Sequence, residues 1–385
     1  MSWTPPPAYA SYYSHESPSS AHSLFQQLSA TPPQDPKTSQ PDPTWGRSAL
    51  PRAPWELEVR EKYGARDGRV HVGEGQWVEY QIWGTGDGKG GKEADLVWCH
   101  GINDYGGKFA VHAPLFLDAG YRIIVPDLPS HGRSTGIHVH IPEMEALADA
   151  VYAVTRDVCL QDSKLVAERE GGEVHVTQTR KVFVAGQSLG GFTAVYTCLK
   201  YGTPPTTSLP PSSGHSSSTL FHPTLSGGIF LCPMLAISPE SRPWKLVETV
   251  ARGLSWFAGV VPFAEANKGK NSEDGEVERE FEADPQTYHG KLRIATGLAI
   301  LQGLMDVNAK MEHLTVPFLL CHGTGDRVTS PSGSQLLYDR ASSTDKGIKL
   351  YGGYEHILLR KGKDEQDDER RQRVLGDVKA WLEAR

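Results

Sequence analysis

KVFVAGQSLGGFTAVYTCLKYG, residues 181–202, reads as a short apolar strand that turns at once into a helix. Val182, Phe183, Val184 and Ala185 form an unbroken apolar run, as a strand buried on both faces requires. Gly186-Gln187-Ser188-Leu189-Gly190 follows and fits the pattern GxSxG. A serine at such a strand-to-helix turn sits on a strained backbone that lifts its Oγ clear of the sheet edge. Its neighbours two positions away must then be small, which accounts for Gly186 and Gly190. The N-terminus of the following helix also favours negative charge developing nearby. Ser188 is therefore a candidate nucleophile.

Outward from this turn the chain alternates strand-like and helix-like segments. QWVEYQIWG (76–84), ADLVWCHG (94–101), YRIIVPDLP (121–129), LSGGIFLCPM (225–234), VPFLLCHG (316–323) and GIKLYGG (347–353) read as strands. FAVHAPLFLDAG (109–120), PEMEALADAVYAVTRDVCL (142–160) and the C-terminal RQRVLGDVKAWLEAR read as helices. Such a series predicts a mostly parallel sheet with helices on both faces.

A serine nucleophile needs a base, and the base needs an acid to fix its tautomer. The chain has 15 histidines, so position must choose among them. Asp326 lies just past one late strand in HGTGDRV, and His356 just past the next in GGYEH. The order Ser188, Asp326, His356, each at a strand end, is that of an α/β-hydrolase. In that fold the loop after an earlier strand, here His100-Gly101-Ile102, gives one backbone N–H to an oxyanion hole. The residue after the nucleophile gives the other, so Ile102 and Leu189 are the candidate donors. His100 and His131 read as hydrogen-bonding residues that hold loops near the site. His138 and His140 stand in an HxH pattern without a Cys, Asp or Glu at ligand spacing, so no metal is expected.

The remaining segments have distinct compositions. Residues 1–55 are expected to form a disordered arm, since 19 of the first 50 positions are Pro or Ser. The arm's Tyr9, Tyr12, Tyr13 and Phe25 could make a docking motif. Residues 204–219 hold 13 Pro, Ser or Thr among 16 and read as a surface-loop insertion. Residues 56–235 and 314–385 read as the two parts of the core. Residues 236–313 break the alternation and read as a helical cap with no clear strand. Within them, Leu246, Val250, Leu254, Phe257 and Val261 form a helical stripe, widened by Trp256, Val260 and Phe263. The stripe suits a lid that meets lipid or a helix packed on the core. EDGEVEREFEAD (273–284) carries 7 acids in 12 positions, a solvated face or a site for a substrate amine. The net charge of -7 speaks against nucleic acid as a general partner. Five cysteines without framework spacing fit free, buried thiols in a reducing compartment. No apolar run reaches the length of a bilayer span, and the N-terminus has no secretory pattern.

VWCHGINDYGGKF, PLFLDAGYRIIVPDLPSHGRSTG, VFVAGQSLGG, IFLCPMLAISPES, LTVPFLLCHGTGDRVTSPSGSQLLYD and KLYGGYEHIL together resemble the monoglyceride lipase group of the α/β-hydrolases, also labelled serine aminopeptidase-like. His131-Gly132-Arg133-Ser134 matches the group's HGxS element. The resemblance implies an α/β-hydrolase fold with a cap, Ser188, Asp326 and His356 as the triad, and Ile102 and Leu189 as oxyanion donors. It implies cleavage of a lipid carboxylic ester, most specifically monoacylglycerol, with no cofactor. The alternatives are a serine aminopeptidase or other small-ester hydrolase of the same fold, or a non-catalytic hydrolase-fold protein acting through its arm. With the free thiols and a stripe on 246–263 that meets lipid, the expectation is a cytoplasmic enzyme that visits a membrane or lipid-droplet surface through its cap. The sequence departs from the group at Gln187 and Leu189, where His and Met usually flank the nucleophile.

Overall fold

A computed structural model describes residues 4–18, 22–84, 91–203, 221–238, 258–264, 269–362 and 364–385. Among them are strands β1 (Ala65–Gly73), β2 (Gln76–Trp83), β3 (Ala94–Cys99), β4 (Arg122–Pro126) and β5 (Lys181–Gln187). Further along come β6 (Gly227–Leu231), β7 (Pro262–Ala264), β8 (Leu292–Arg293), β9 (Phe318–Gly323) and β10 (Lys346–Tyr351). Eight of them make one sheet in the order β1-β2-β4-β3-β5-β6-β9-β10. β2 pairs antiparallel with both β1 and β4, and every other pairing in this sheet is parallel.

Side chains alternate across a strand, and the two faces of this sheet carry separate cores. Val97 and Cys99 of β3 join one, with Val184 and Phe230. Leu96 and Trp98 join the other, with Phe183 and Ile229. All six residues of β3 and all five of β4 are buried, as the continuous apolar runs require. Helices Glu145–Glu170 and Leu189–Tyr201 contribute to the first core, and Pro54–Tyr63 and Glu365–Glu383 to the second. This is the α/β-hydrolase fold.

The local readings hold with three corrections. The span 109–120 is not one helix: a 3-10 helix at Gly106–Val111 is followed by a single turn at Pro114–Leu117. Pro114 occupies the first position of that turn, where its missing N–H costs nothing, and it starts a new helix instead of extending the old one. The segment 236–313 is not free of strands, since β7 and β8 pair antiparallel. Helices Gly275–Ala283 and Ile294–Lys310 accompany them. The loop 204–219 and most of the stripe 246–263, including Trp256 and Phe257, lie outside the described residues.

The third correction is the largest. Residues 4–18 and 22–55 do not hang free as a disordered arm but lie against the core. Tyr12, Trp45 and Arg47 are buried. Arg47 donates from Nε to the Gly132 carbonyl at 2.8 Å, and from Nη2 to those of Ser134 at 2.7 Å and Gly136 at 2.9 Å. Arg133 returns the contact, donating to the carbonyls of Ser48 and Leu50. The HGxS loop and the N-terminal segment thus clasp one another. Tyr9 and Tyr12 set their rings edge-on to Trp55, with centroids 6.0 and 5.5 Å away. A few anchors suffice because proline already limits the unfolded segment's freedom, so less entropy is lost on docking.

Candidate active site

The sharp turn after β5 takes the form its sequence demands. Ser188 has φ +59° and ψ −118°, a region that residues with side chains rarely adopt. Its N–H donates to the Leu231 carbonyl, and its carbonyl accepts from Phe192 and Met234. The two elbow glycines leave no room for substitution. A Cβ on Gly186 would meet the Gly190 backbone at 2.5 Å, and one on Gly190 would meet the Cys99 carbonyl at 2.0 Å. Leu189 opens the helix with its side chain fully buried.

Asp326 and His356 arrive from the ends of β9 and β10. His356 Nδ1 donates to Asp326 Oδ2 at 2.8 Å, and both residues are buried. With a carboxylate on Nδ1, the proton rests there and Nε2 is left basic. Asp326 is itself held in place. Its Oδ1 accepts from the backbone N–H groups of Val328 and Thr329 at 2.8 and 2.9 Å. Its Oδ2 accepts from Thr329 Oγ1 at 2.7 Å. Burial would raise its pKa, but hydrogen bonds from His322 and His356 outweigh that and hold the carboxyl well below its ordinary range.

His322 was not singled out from sequence. Its Nε2 lies 3.2 Å from Asp326 Oδ2, and its Nδ1 is 2.7 Å from Ser334 Oγ. The signal was its position four residues before Asp326. Cys232, His322 and Asp326 are close enough to share a cation. Both side chains besides the thiol already have partners, and burial pushes the Cys232 thiol well up, which disfavours a thiolate ligand.

The loop after β3 lies over the serine. A Cβ on Gly101 would stand 3.9 Å from Ser188 Cβ. His100 fixes this loop: Nδ1 donates to the Gly101 carbonyl at 2.8 Å, and Nε2 accepts from the Leu128 N–H at 3.0 Å. Both nitrogens are occupied, and burial lowers the pKa to about 4, so His100 is a neutral loop holder. His131 is fully buried, with Nδ1 on the Pro129 carbonyl. Ser188, Gly101, Ile102 and His356 line one cavity of about 820 Å³.

That cavity also has walls the sequence did not announce. Thr4, Pro6, Tyr9 and Tyr13 of the N-terminal segment line it, beside Trp55. Glu278, Glu280 and Glu282 of the acidic run face it too, so the run is not wholly a solvated face. Asp284, at the end of the run, is fully buried.

Residues 90–209 and 216–362 match the family model described as Serine aminopeptidase, S33. The chain belongs to that family. It is 29% identical over 271 residues to caffeoylshikimate esterase of Arabidopsis thaliana, covering 70% of each chain. It is 25% identical over 287 residues to monoacylglycerol lipase of Mycolicibacterium smegmatis, covering 74% of this chain and 87% of that one. In fold it matches a soluble variant of monoglyceride lipase from Saccharomyces cerevisiae, solved with a substrate analog, at a TM-score of 0.61 and 16% identity. That match covers 83% of this chain and 94% of the other. Among the described residues of this S33 chain, no helix is long and apolar enough to cross a membrane.

Three buried imidazoles (His100, His131, His138) and two half-buried ones (His112, His140) are expected to give the chain a pH response. Burial depresses the pKa of His100 and His140 to about 4 and of His112 to about 3. It holds His131 and His138 well below the ordinary 6.5. These five stay neutral while folded, but protonate below 6.5 once unfolded. Unfolding then takes up protons, so stability is expected to fall as pH drops from 6.5 towards 4. Asp104 and Asp127, which burial pushes up to about 7 and about 6, act in the opposite sense. Five groups outweigh two, and Asp326 enters only below the unfolded carboxyl range of about 4. The denaturant midpoint is expected to fall between pH 6.5 and 5. A midpoint that is flat or rises on acidification would contradict the buried-neutral assignment.

Proposed function

We propose that this chain is a serine hydrolase of carboxylic esters that works through an acyl-enzyme, with Ser188 as nucleophile. The observation that carries the reading is the strained Ser188 turn, which lines one cavity with His356, whose Nδ1 is held by Asp326. Ser188 Oγ attacks the ester carbonyl while His356 Nε2 accepts its proton and then returns it to the leaving alcohol. Asp326 keeps His356 in the needed tautomer and stabilises the imidazolium. The backbone N–H groups of Ile102 and Leu189 receive the oxyanion, aided by the helix N-terminus. Water resolves the acyl-enzyme with His356 as base.

The substrate we assign is monoacylglycerol. Two of the similar proteins carry that activity in their names. The cavity, of about 820 Å³, is also of a size that holds a small-molecule ligand. The segment 236–313 acts as the cap, and the apolar stripe in 246–263 provides reversible contact with a membrane or lipid-droplet surface from a cytosolic pool. A second reading rests on Glu278, Glu280 and Glu282 in the cavity wall, which suit a substrate amine and hence an aminopeptidase.

A substrate panel separates these. Monoacylglycerols, hydroxycinnamoyl esters and aminoacyl anilides are assayed side by side. The highest kcat/KM is expected on monoacylglycerol. Turnover confined to the anilides would replace the esterase reading with the peptidase one.

A further inference from the structure

We propose that the N-terminal segment is a wall of the substrate site, where Tyr9 and Tyr13 set a preference for long acyl chains. The proposal rests on the reading of Ser188 as nucleophile and adds a specificity element that lies outside the matched family region, which begins at residue 90.

Tyr9 and Tyr13 are partly buried and line the same cavity as Ser188 and His356. They are held there from several sides. Tyr9 donates its hydroxyl to Glu58 Oε1 at 2.9 Å and sets its ring against Trp55. Tyr13 packs on Tyr12 at 5.2 Å and on Trp55 at 6.2 Å. Tyr12, between them in the cluster, donates its hydroxyl to the buried Asp284 at 2.6 Å. Glu58 and Trp55 belong to the helix Pro54–Tyr63, so the wall is built on a regular element.

The chemistry fixes where the substrate's ester carbonyl lies, at Ser188. A glycerol head has only three carbons. Along a series of monoacylglycerols only the acyl chain grows, so only the chain can come to reach a wall made by a separate segment. An acetyl ester occupies just the region beside the serine. Aromatic ring surface is apolar, and each methylene moved from water onto such a surface strengthens binding about four-fold. Covering two or three methylenes on Tyr9 and Tyr13 therefore separates long chains from short ones by a factor of about ten or more.

The test uses the full chain with Tyr9→Ala, Tyr13→Ala and the double substitution. The ratio of kcat/KM on glycerol monodecanoate to that on glycerol monoacetate is measured, with the rate of labelling by a small fluorophosphonate. In the double variant the ratio is expected to fall about ten-fold or more, mainly through KM, while monoacetate turnover and labelling stay near wild type. Tyr9→Phe with Tyr13→Phe keeps both rings and should keep the ratio. If the alanine double variant does not fold, Tyr13→Gln makes the wall polar at a partly buried position and is read in the same way. An unchanged ratio, or equal losses on both esters, overturns the proposal. A wild-type chain that the fluorophosphonate fails to label overturns the Ser188 reading, and the proposal with it.

Discussion

Replacing Ser188 with Ala is expected to lower kcat by a factor of at least about 10³ and to abolish fluorophosphonate labelling, while the melting temperature stays close to wild type. Members of a nucleophile–base–acid set act as a unit, so His356→Ala should cost a comparable factor. The fold is expected to survive because alanine keeps the Cβ that Ser188 already places at φ +59°, and so adds no new strain. Asp326→Asn is the more informative partner. Its amide would present a donor where Asp326 now accepts from Val328, Thr329 and His356. That turns His356 towards the wrong tautomer, a change that costs about 10⁴ in a serine protease triad. Activity of more than a few per cent in Ser188→Ala would place the nucleophile elsewhere.

How far these assignments were legible from sequence depended on how local their cause is. Ser188 could be read because a buried strand, a tight turn and a helix are written within some twenty consecutive residues. Asp326 and His356 could be read because a parallel sheet brings strand ends to one edge, whatever their distance in sequence. β1 was missed because ARDGRVHVG, at the sheet's edge, is mostly polar and glycine, and only Val70 and Val72 alternate, too short a stretch to register. β7 and β8 were missed because they are 3 and 2 residues long, too short for periodicity to register. The N-terminal segment was misjudged for a different reason. Composition averages over fifty residues, whereas docking depends on single side chains. Arg47 finds three backbone carbonyls and Tyr12 finds Asp284, and neither partner is visible in the segment's own sequence. The same limit hid Tyr9 and Tyr13 as cavity walls. Their aromatic spacing against a Pro/Ser background was the available signal.

Asp284→Ala should be the most destabilising single change among these contacts, because one carboxylate ties together three parts of the chain. Asp284 is fully buried at the end of the helix Gly275–Ala283. Its Oδ1 accepts from the Tyr12 hydroxyl at 2.6 Å and from the Gln286 N–H at 3.1 Å. Its Oδ2 accepts from Lys108 Nζ at 2.8 Å and the Tyr105 hydroxyl at 3.1 Å. Tyr12 belongs to the N-terminal segment, whereas Lys108 and Tyr105 lie just after β3. Removing the carboxylate leaves the partly buried Lys108 ammonium with only Glu280, 3.8 Å away, and leaves the Tyr12 and Tyr105 hydroxyls with each other and Gln286 Nε2. Breaking such a pair from one side costs about 3–5 kcal/mol, more than the pair contributes when intact, because the remaining charge stays desolvated. Asp284→Asn should recover little, since its amide nitrogen would face at least one donor. Tyr12→Phe removes the hydrogen bond to the Asp284 carboxylate, with the weaker ones from Gln286 Nε2 and to Tyr105, but leaves the Lys108–Asp284 pair intact, and should cost about 1.5–3 kcal/mol. The order Asp284→Ala, Asp284→Asn, Tyr12→Phe, from most to least destabilising, is measured by urea unfolding at pH 7.5. Limited proteolysis should show cleavage near residues 4–18 rising in the same order, since all three changes loosen that segment. A Tyr12→Phe variant as unstable as Asp284→Ala would mean that the N-terminal contact, and not the buried charge, dominates the junction.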